Sequence, residues 1–274
     1  MTALAPASPL APAVLPDRHF RDAALFMLAL LSLTAAAHSF DPRLLDGVNV
    51  WAKPAKFALS FVVYFATLAF FARRLSHPFR RGWAMAITVP VALGAAPFEM
   101  AYIIAQAGQQ AHSHFNTADP FHALMYNLMG VGAVALTAVP AVLGLLIARD
   151  PGARLSPGLR NGAVLGLIGG ALLTLVTAGY LSQNGGHFVG TPAPGAPVLP
   201  LFGWSLSVGD LRPAHFLALH AMQALPLAGW LLDRHAAARA VPAVTLAALL
   251  WACLTAALFA RALLGLPFLP LLPA

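Results

Sequence analysis

The chain has 274 residues, of which 59% are hydrophobic and 9% charged, with a formal net charge of +7. A soluble domain carries roughly 25% charged residues, so this composition excludes a water-exposed globular fold. The basic residues sit in short segments between apolar runs, which reports orientation across a bilayer and excludes a nucleic-acid-binding face.

Residues 1–20 open with an Ala/Pro-rich stretch without helical period and are expected to form a disordered cytoplasmic tail. No basic n-region leads into an apolar stretch with a cleavage site, so no cleaved signal peptide is expected. The region 21–266 then reads as an all-α polytopic transmembrane bundle of about seven spans, followed by a short outer tail at 267–274. The spans are predicted near 22–38, 54–72, 83–107, 121–148, 162–182, 213–232 and 241–264. With the N-terminus inside, the inner segments hold Arg18, Arg21, Arg73, Arg74, Arg80, Arg81, Arg149, Arg154, Arg160, Arg234 and Arg239. The outer side holds Arg43, Lys53, Lys56, Arg212 and Arg261. The positive-inside rule therefore predicts an N-in, C-out arrangement. An arginine-heavy, Ala/Leu/Pro-rich composition points to a bacterial source and hence to its cytoplasmic (inner) membrane.

Within the second span, Lys53 and Lys56 follow Trp51 and are expected to snorkel to the interface or to bind an anionic group. In the third span, Glu99 lies about seven residues, roughly 10 Å, below the outer end. An acid at that depth is costly and marks a functional-site candidate, with an interior position near a basic or histidine side chain expected. Asp119 precedes Pro120 and is expected to cap the fourth span. Tyr126 extends the polar face of that helix inward. Pro90, Pro97, Pro140 and Pro226 fall inside spans, where they loosen the backbone ladder. Gly162, Gly166, Gly170, Thr174 and Ala178 recur every four residues along the fifth span, a stripe suited to close helix approach. In the sixth span, Gln223 shares a face with His220.

The histidines carry the main functional expectation. His38, His112, His114, His122, His187, His215 and His220 all fall in the outer half, out of ten in the chain. Pro120-Phe121-His122 opens the fourth span and Pro213-Ala214-His215 the sixth, so both rings are placed in a first helical turn. There the helix dipole favours the neutral imidazole, the form that ligates metal or haem iron. Together with His114-Phe115 and His187-Phe188, these openings suggest a parallel repeat. His122 and His215 are expected at similar depth on neighbouring helices, with His114, His220 and Glu99 lining one outward cavity. The leading expectation is a redox protein holding haem b or a divalent metal on His122, His215, His220 and His114. The alternatives are a proton-coupled transporter of a small molecule, using Glu99, or an accessory subunit contacting another membrane protein.

The segments WAKPAKF, SHFN and GDLRPAHFLALHAMQALPL resemble those of an uncharacterised family of bacterial multi-span integral membrane proteins. That resemblance covers most of the membrane region and implies no activity. The seven-span zinc amidohydrolase-like membrane proteins differ, because they use HxxxH where this chain has His215-x4-His220.

Overall fold

The computed structural model describes residues 15–269, so most of the expected N-terminal tail and the last residues of the outer tail lie outside the described residues. Eight α-helices follow one another: α1 Pro16–Phe40, α2 Ala52–Ala72, a four-residue α3 His77–Arg80, α4 Trp83–Gly108, α5 Pro120–Arg149, α6 Pro157–Gln183, α7 Arg212–His235 and α8 Ala240–Leu263. All except α3 are long and apolar enough to span a membrane, and the protein is an all-α, multi-pass membrane protein. The strands described are pairs of residues in connecting loops, too short to cross any bilayer. We call the face bearing the start of α1 proximal and the opposite face distal. Because seven spanning helices alternate in direction, the 108–120 and 183–212 connections are both distal.

The first helix starts earlier than the apolar run predicts. Pro16 supplies the fixed φ suited to a first turn. Phe20 is fully buried with its ring 6.3 Å from Phe65, and Asp17 lies 3.6 Å from Arg80. Residues 16–20, expected in a disordered tail, are therefore helical and packed.

Successive spanning helices pack on one another, and α6 also meets α8 as well as α5 and α7. Only 11% of the most apolar stretch of α1 and of α8 is buried, which places these two helices at the periphery with their apolar surface exposed. The closest approach is between α6 and α7, where the predicted small-residue stripe lies. A Cβ on Gly162 would collide with the Leu225 carbonyl, and one on Gly166 with that of Ala221. Gly229 answers from α7 by packing its Cα against the Gly158 carbonyl. The start of α6 receives no cap from its own Ser156. Instead Asp233, near the end of α7, accepts from the backbone N–H groups of Gly158 and Leu159 at 2.8 Å, and from the Ser156 hydroxyl. An acidic side chain from another helix thus satisfies donors that a helix N-terminus leaves unpaired.

The main core joins Phe20, Phe65, Leu68, Phe71, Met85, Leu143, Ile147 and Leu167, mostly in the proximal half. The distal half holds only a small separate cluster of Tyr102, Ile103 and Met129, flanked by Phe57, Phe98 and Met125. Polar side chains occupy the space around it.

Candidate functional site

Glu99, Tyr102 and Gln106 stand at intervals of three and four on α4, so helical geometry puts them in one row. All three are buried, at 3%, 7% and 2% exposure. Glu99 Oε1, the Tyr102 hydroxyl and Gln106 Oε1 have no hydrogen-bond partner among the described residues. Each such group would normally cost about 1–3 kcal/mol, which makes three in one row hard to attribute to packing alone. Glu99 fits against α5 at Gly132, where an added Cβ would stand 3.1 Å from Oε1. Lys53, from the first turn of α2, is the charged neighbour of Glu99, although the two form no direct ion pair. Glu99 is therefore interior and near a basic side chain, as its sequence position leads one to expect.

The loop after α4 closes this region. His114 packs its ring 5.5 Å from Phe57, and its Nδ1 is 3.1 Å from the Ser113 hydroxyl. Burial, with a smaller contribution from the Lys53 charge, pushes the His114 pKa down to about 3. Phe115 adopts a positive φ of 57°, and its ring lies 5.5 Å from Tyr126. The Tyr126 hydroxyl is 2.9 Å from the Ser182 hydroxyl, so its polar end ties α5 to α6. Lys56 is exposed, with Arg212 as its charged neighbour.

The long distal connection from α6 to α7 is built around Asp210. This fully buried carboxylate accepts from the Ser205 N–H and from the backbone and guanidinium of Arg212, at 2.6–3.2 Å. Arg212 also donates to the Gly203 carbonyl and lies over the Phe188 ring. His187 is half-buried beside this pair. Desolvation, followed by the Arg212 charge, pushes its pKa down to about 4.

The other histidines do not gather around one centre. Asp119 caps α5 as expected, accepting from the His122 N–H at 2.9 Å, but its second oxygen also binds His122 Nδ1 at 2.6 Å. These bonds hold the Asp119 carboxyl below the usual carboxylate range and tie the His122 ring to its own cap. His215 meets the Thr177 hydroxyl of α6 at 3.2 Å. His220 stacks on Phe216, with centroids 4.2 Å apart. The helices carrying His122 and His215 each pack on α6 and make no main contact with each other. The expected pairing of these two on neighbouring helices is not what the fold forms. Among the described residues, no three His, Cys, Asp or Glu side chains converge to hold a metal ion. Gln223 reaches α2 through a 3.2 Å bond to the Thr67 hydroxyl, leaving its Oε1 buried and unpartnered.

Tyr102 and Gly132 are the members of this region that the sequence did not single out. The spacing of Tyr102 and Gln106 from Glu99 was the available signal, because it places three polar groups on one face of an otherwise apolar helix. Comparison with family models, with curated proteins and with solved structures finds no match for the chain.

Proposed function

We propose that the protein binds a small, donor-rich polar solute in the distal half of its bundle and that Glu99 exchanges a proton as the solute enters or leaves. This is the proton-coupled transport reading. The observation that carries it is the row of unpartnered, buried polar atoms of Glu99, Tyr102 and Gln106 along one face of α4. A carboxyl group, an amide oxygen and a hydroxyl are suited to receive N–H or O–H donors. Intramembrane acids characteristically mark ion and proton paths. Lys53 balances the Glu99 charge when the acid is ionised, and His114 covers the region as a neutral ring. Pro90, Pro97, Pro140 and Pro226 inside α4, α5 and α7 remove backbone hydrogen bonds and so offer backbone that can yield during access.

The haem- or metal-based reading has less support, because His122, His215 and His220 have separate local partners. The membrane we assign is the bacterial cytoplasmic membrane, with the N-terminus in the cytoplasm and the distal face outside. The arginine distribution supports that orientation.

Proton flux tests the reading directly. The protein is reconstituted in vesicles loaded with a pH-sensitive dye and challenged with a panel of small polyols, amides and amino acids. At least one solute should drive proton movement in the wild type, and Glu99→Gln should abolish it. If the variant retains full flux, or no solute moves protons beyond empty vesicles, the proposal fails. Orientation is read by labelling Thr191→Cys in a Cys253→Ser background of intact cells, where labelling from the outside is expected.

A further inference from the structure

The proximal face carries a second feature unrelated to Glu99. Between α1 and α2 lies an open groove of about 710 Å³, whose walls include Leu25, Ala66 and Phe70 and whose mouth carries Arg18, Arg21, Arg73 and Arg74, together with Asp17, whose carboxylate faces Arg80. A smaller adjoining recess of about 410 Å³ shares Arg73 and Arg74 and adds Arg154. The two recesses thus meet at one pair of arginines.

Three other arginines of this face have protein partners. Arg80 pairs with Asp17, Arg21 with Asp22, and Arg160 donates to the carbonyls that end α5. Among the described residues, no carboxylate lies within ion-pair distance of Arg18, Arg73, Arg74 or Arg154. Two of these side chains, Arg74 and Arg154, are held in place. Arg74 lies 3.3 Å above the centre of the Phe70 ring and donates to the Phe70 carbonyl at 2.8 Å. Arg154 donates to the Arg73 carbonyl at 2.9 Å. The half-buried Arg74 has its pKa pushed down by desolvation and by the Arg73 and Arg154 charges, which reflects uncompensated positive charge.

We propose that this groove is a binding site for an anionic phospholipid of the proximal leaflet. Its phosphate would sit on Arg18, Arg73 and Arg74, and an acyl chain would lie along Leu25, Ala66 and Phe70. Guanidinium groups match phosphate oxygens with paired N–H donors. A basic mouth above an apolar trough at the membrane surface has the two-part chemistry of a lipid, and basic pockets between membrane helices take such headgroups. The inference rests on the multi-pass fold and is independent of the proton-exchange reading.

Native mass spectrometry of the full chain from mixed phosphatidylglycerol and phosphatidylcholine micelles provides the test. Wild-type protein should retain phosphatidylglycerol several-fold over phosphatidylcholine. The triple variant Arg18→Ala, Arg73→Ala, Arg74→Ala should weaken that retention at least about tenfold, while Arg81→Ala with Arg239→Ala, elsewhere on the same face, should leave it unchanged. A bimane on Ala66→Cys, in a Cys253→Ser chain with every arginine intact, should be quenched by brominated phosphatidylglycerol more than by the brominated choline lipid. This second measurement decides the matter if the triple variant does not fold. Equal retention of the two lipids, equal loss in the control variant, or equal bimane quenching overturns the proposal. So does displacement of the lipid by millimolar inorganic phosphate, which would make this a phosphate site without use for the apolar walls.

Discussion

Replacing Gly166 by alanine tests whether the α6–α7 contact is set by backbone against backbone. The new Cβ would stand 2.5 Å from the Ala221 carbonyl oxygen, about half an ångström inside the closest separation that real Cβ atoms show. Backbone cannot rotate out of the way as a side chain can, so the helices must separate. Overpacking of this kind costs about 1–3 kcal/mol. Alanine also gains about 1 kcal/mol over glycine in a helix interior, which would mask part of the loss. Gly169, three residues along the same helix, has nothing within 4 Å of its would-be Cβ. Gly169→Ala therefore takes the propensity gain without the collision. The difference between the two variants isolates the packing cost and should be about 1–3 kcal/mol, with Gly166→Ala the less stable. Unfolding in mixed micelles by graded denaturing detergent, read by circular dichroism, measures it. Identical midpoints for the two variants would refute the argument.

Tyr102→Phe removes a buried hydroxyl with no partner, so stability should stay level or rise by up to about 1–3 kcal/mol while solute-driven proton flux falls; a loss above about 1 kcal/mol in the same unfolding assay would mean the hydroxyl is structurally engaged. Asp210→Asn leaves the half-buried Arg212 without its counter-charge, and should cost about 1–3 kcal/mol and expose the 184–211 connection to limited proteolysis. A protease-resistant variant with unchanged midpoint would contradict that role. The His114 pKa is near 3 in the folded chain against 6.5 when unconstrained, so the unfolded state binds the extra proton between those limits. Stability should therefore be full above about pH 6.5 and fall as pH drops toward 3, with a contribution of about 1–2 kcal/mol lost by pH 5. His187, near 4, adds in the same direction. His114→Gln should flatten the pH dependence of the unfolding midpoint over this window, and an unchanged slope would argue against a buried neutral ring.

Hydropathy reveals the spans because lipid imposes a continuous apolar surface on each helix, and that requirement is local. The small-residue stripe was legible for a similar reason, since its four-residue period lies within one helix. Two helix starts were less legible. The extra turns at the beginnings of α1 and α6 depend on Phe65, Arg80 and Asp233, all distant in sequence. The depth and burial of Glu99 followed from its position in an apolar run. The fate of His122 did not follow from its first-turn position alone. Its ring has an intended-looking place on the dipole, yet the capping carboxylate three residues earlier offers a nearer partner. A Pro-x-His opening preceded by aspartate thus reads as a self-satisfied cap, whereas the opening of α7 sends His215 to Thr177.

The Asp233 bridge sets an order on assembly. When the first turn of α6 is synthesised, the acid that will receive its N–H groups is still some 75 residues further along the chain. Until α7 has crossed back, the opening turn of α6 has only interfacial water to satisfy those donors. The hairpin is then locked at its proximal end after insertion, much as a latch closes behind a door. A nascent chain arrested before residue 233 should therefore hold α6 in the bilayer with a frayed first turn, and release of the full-length chain would complete it.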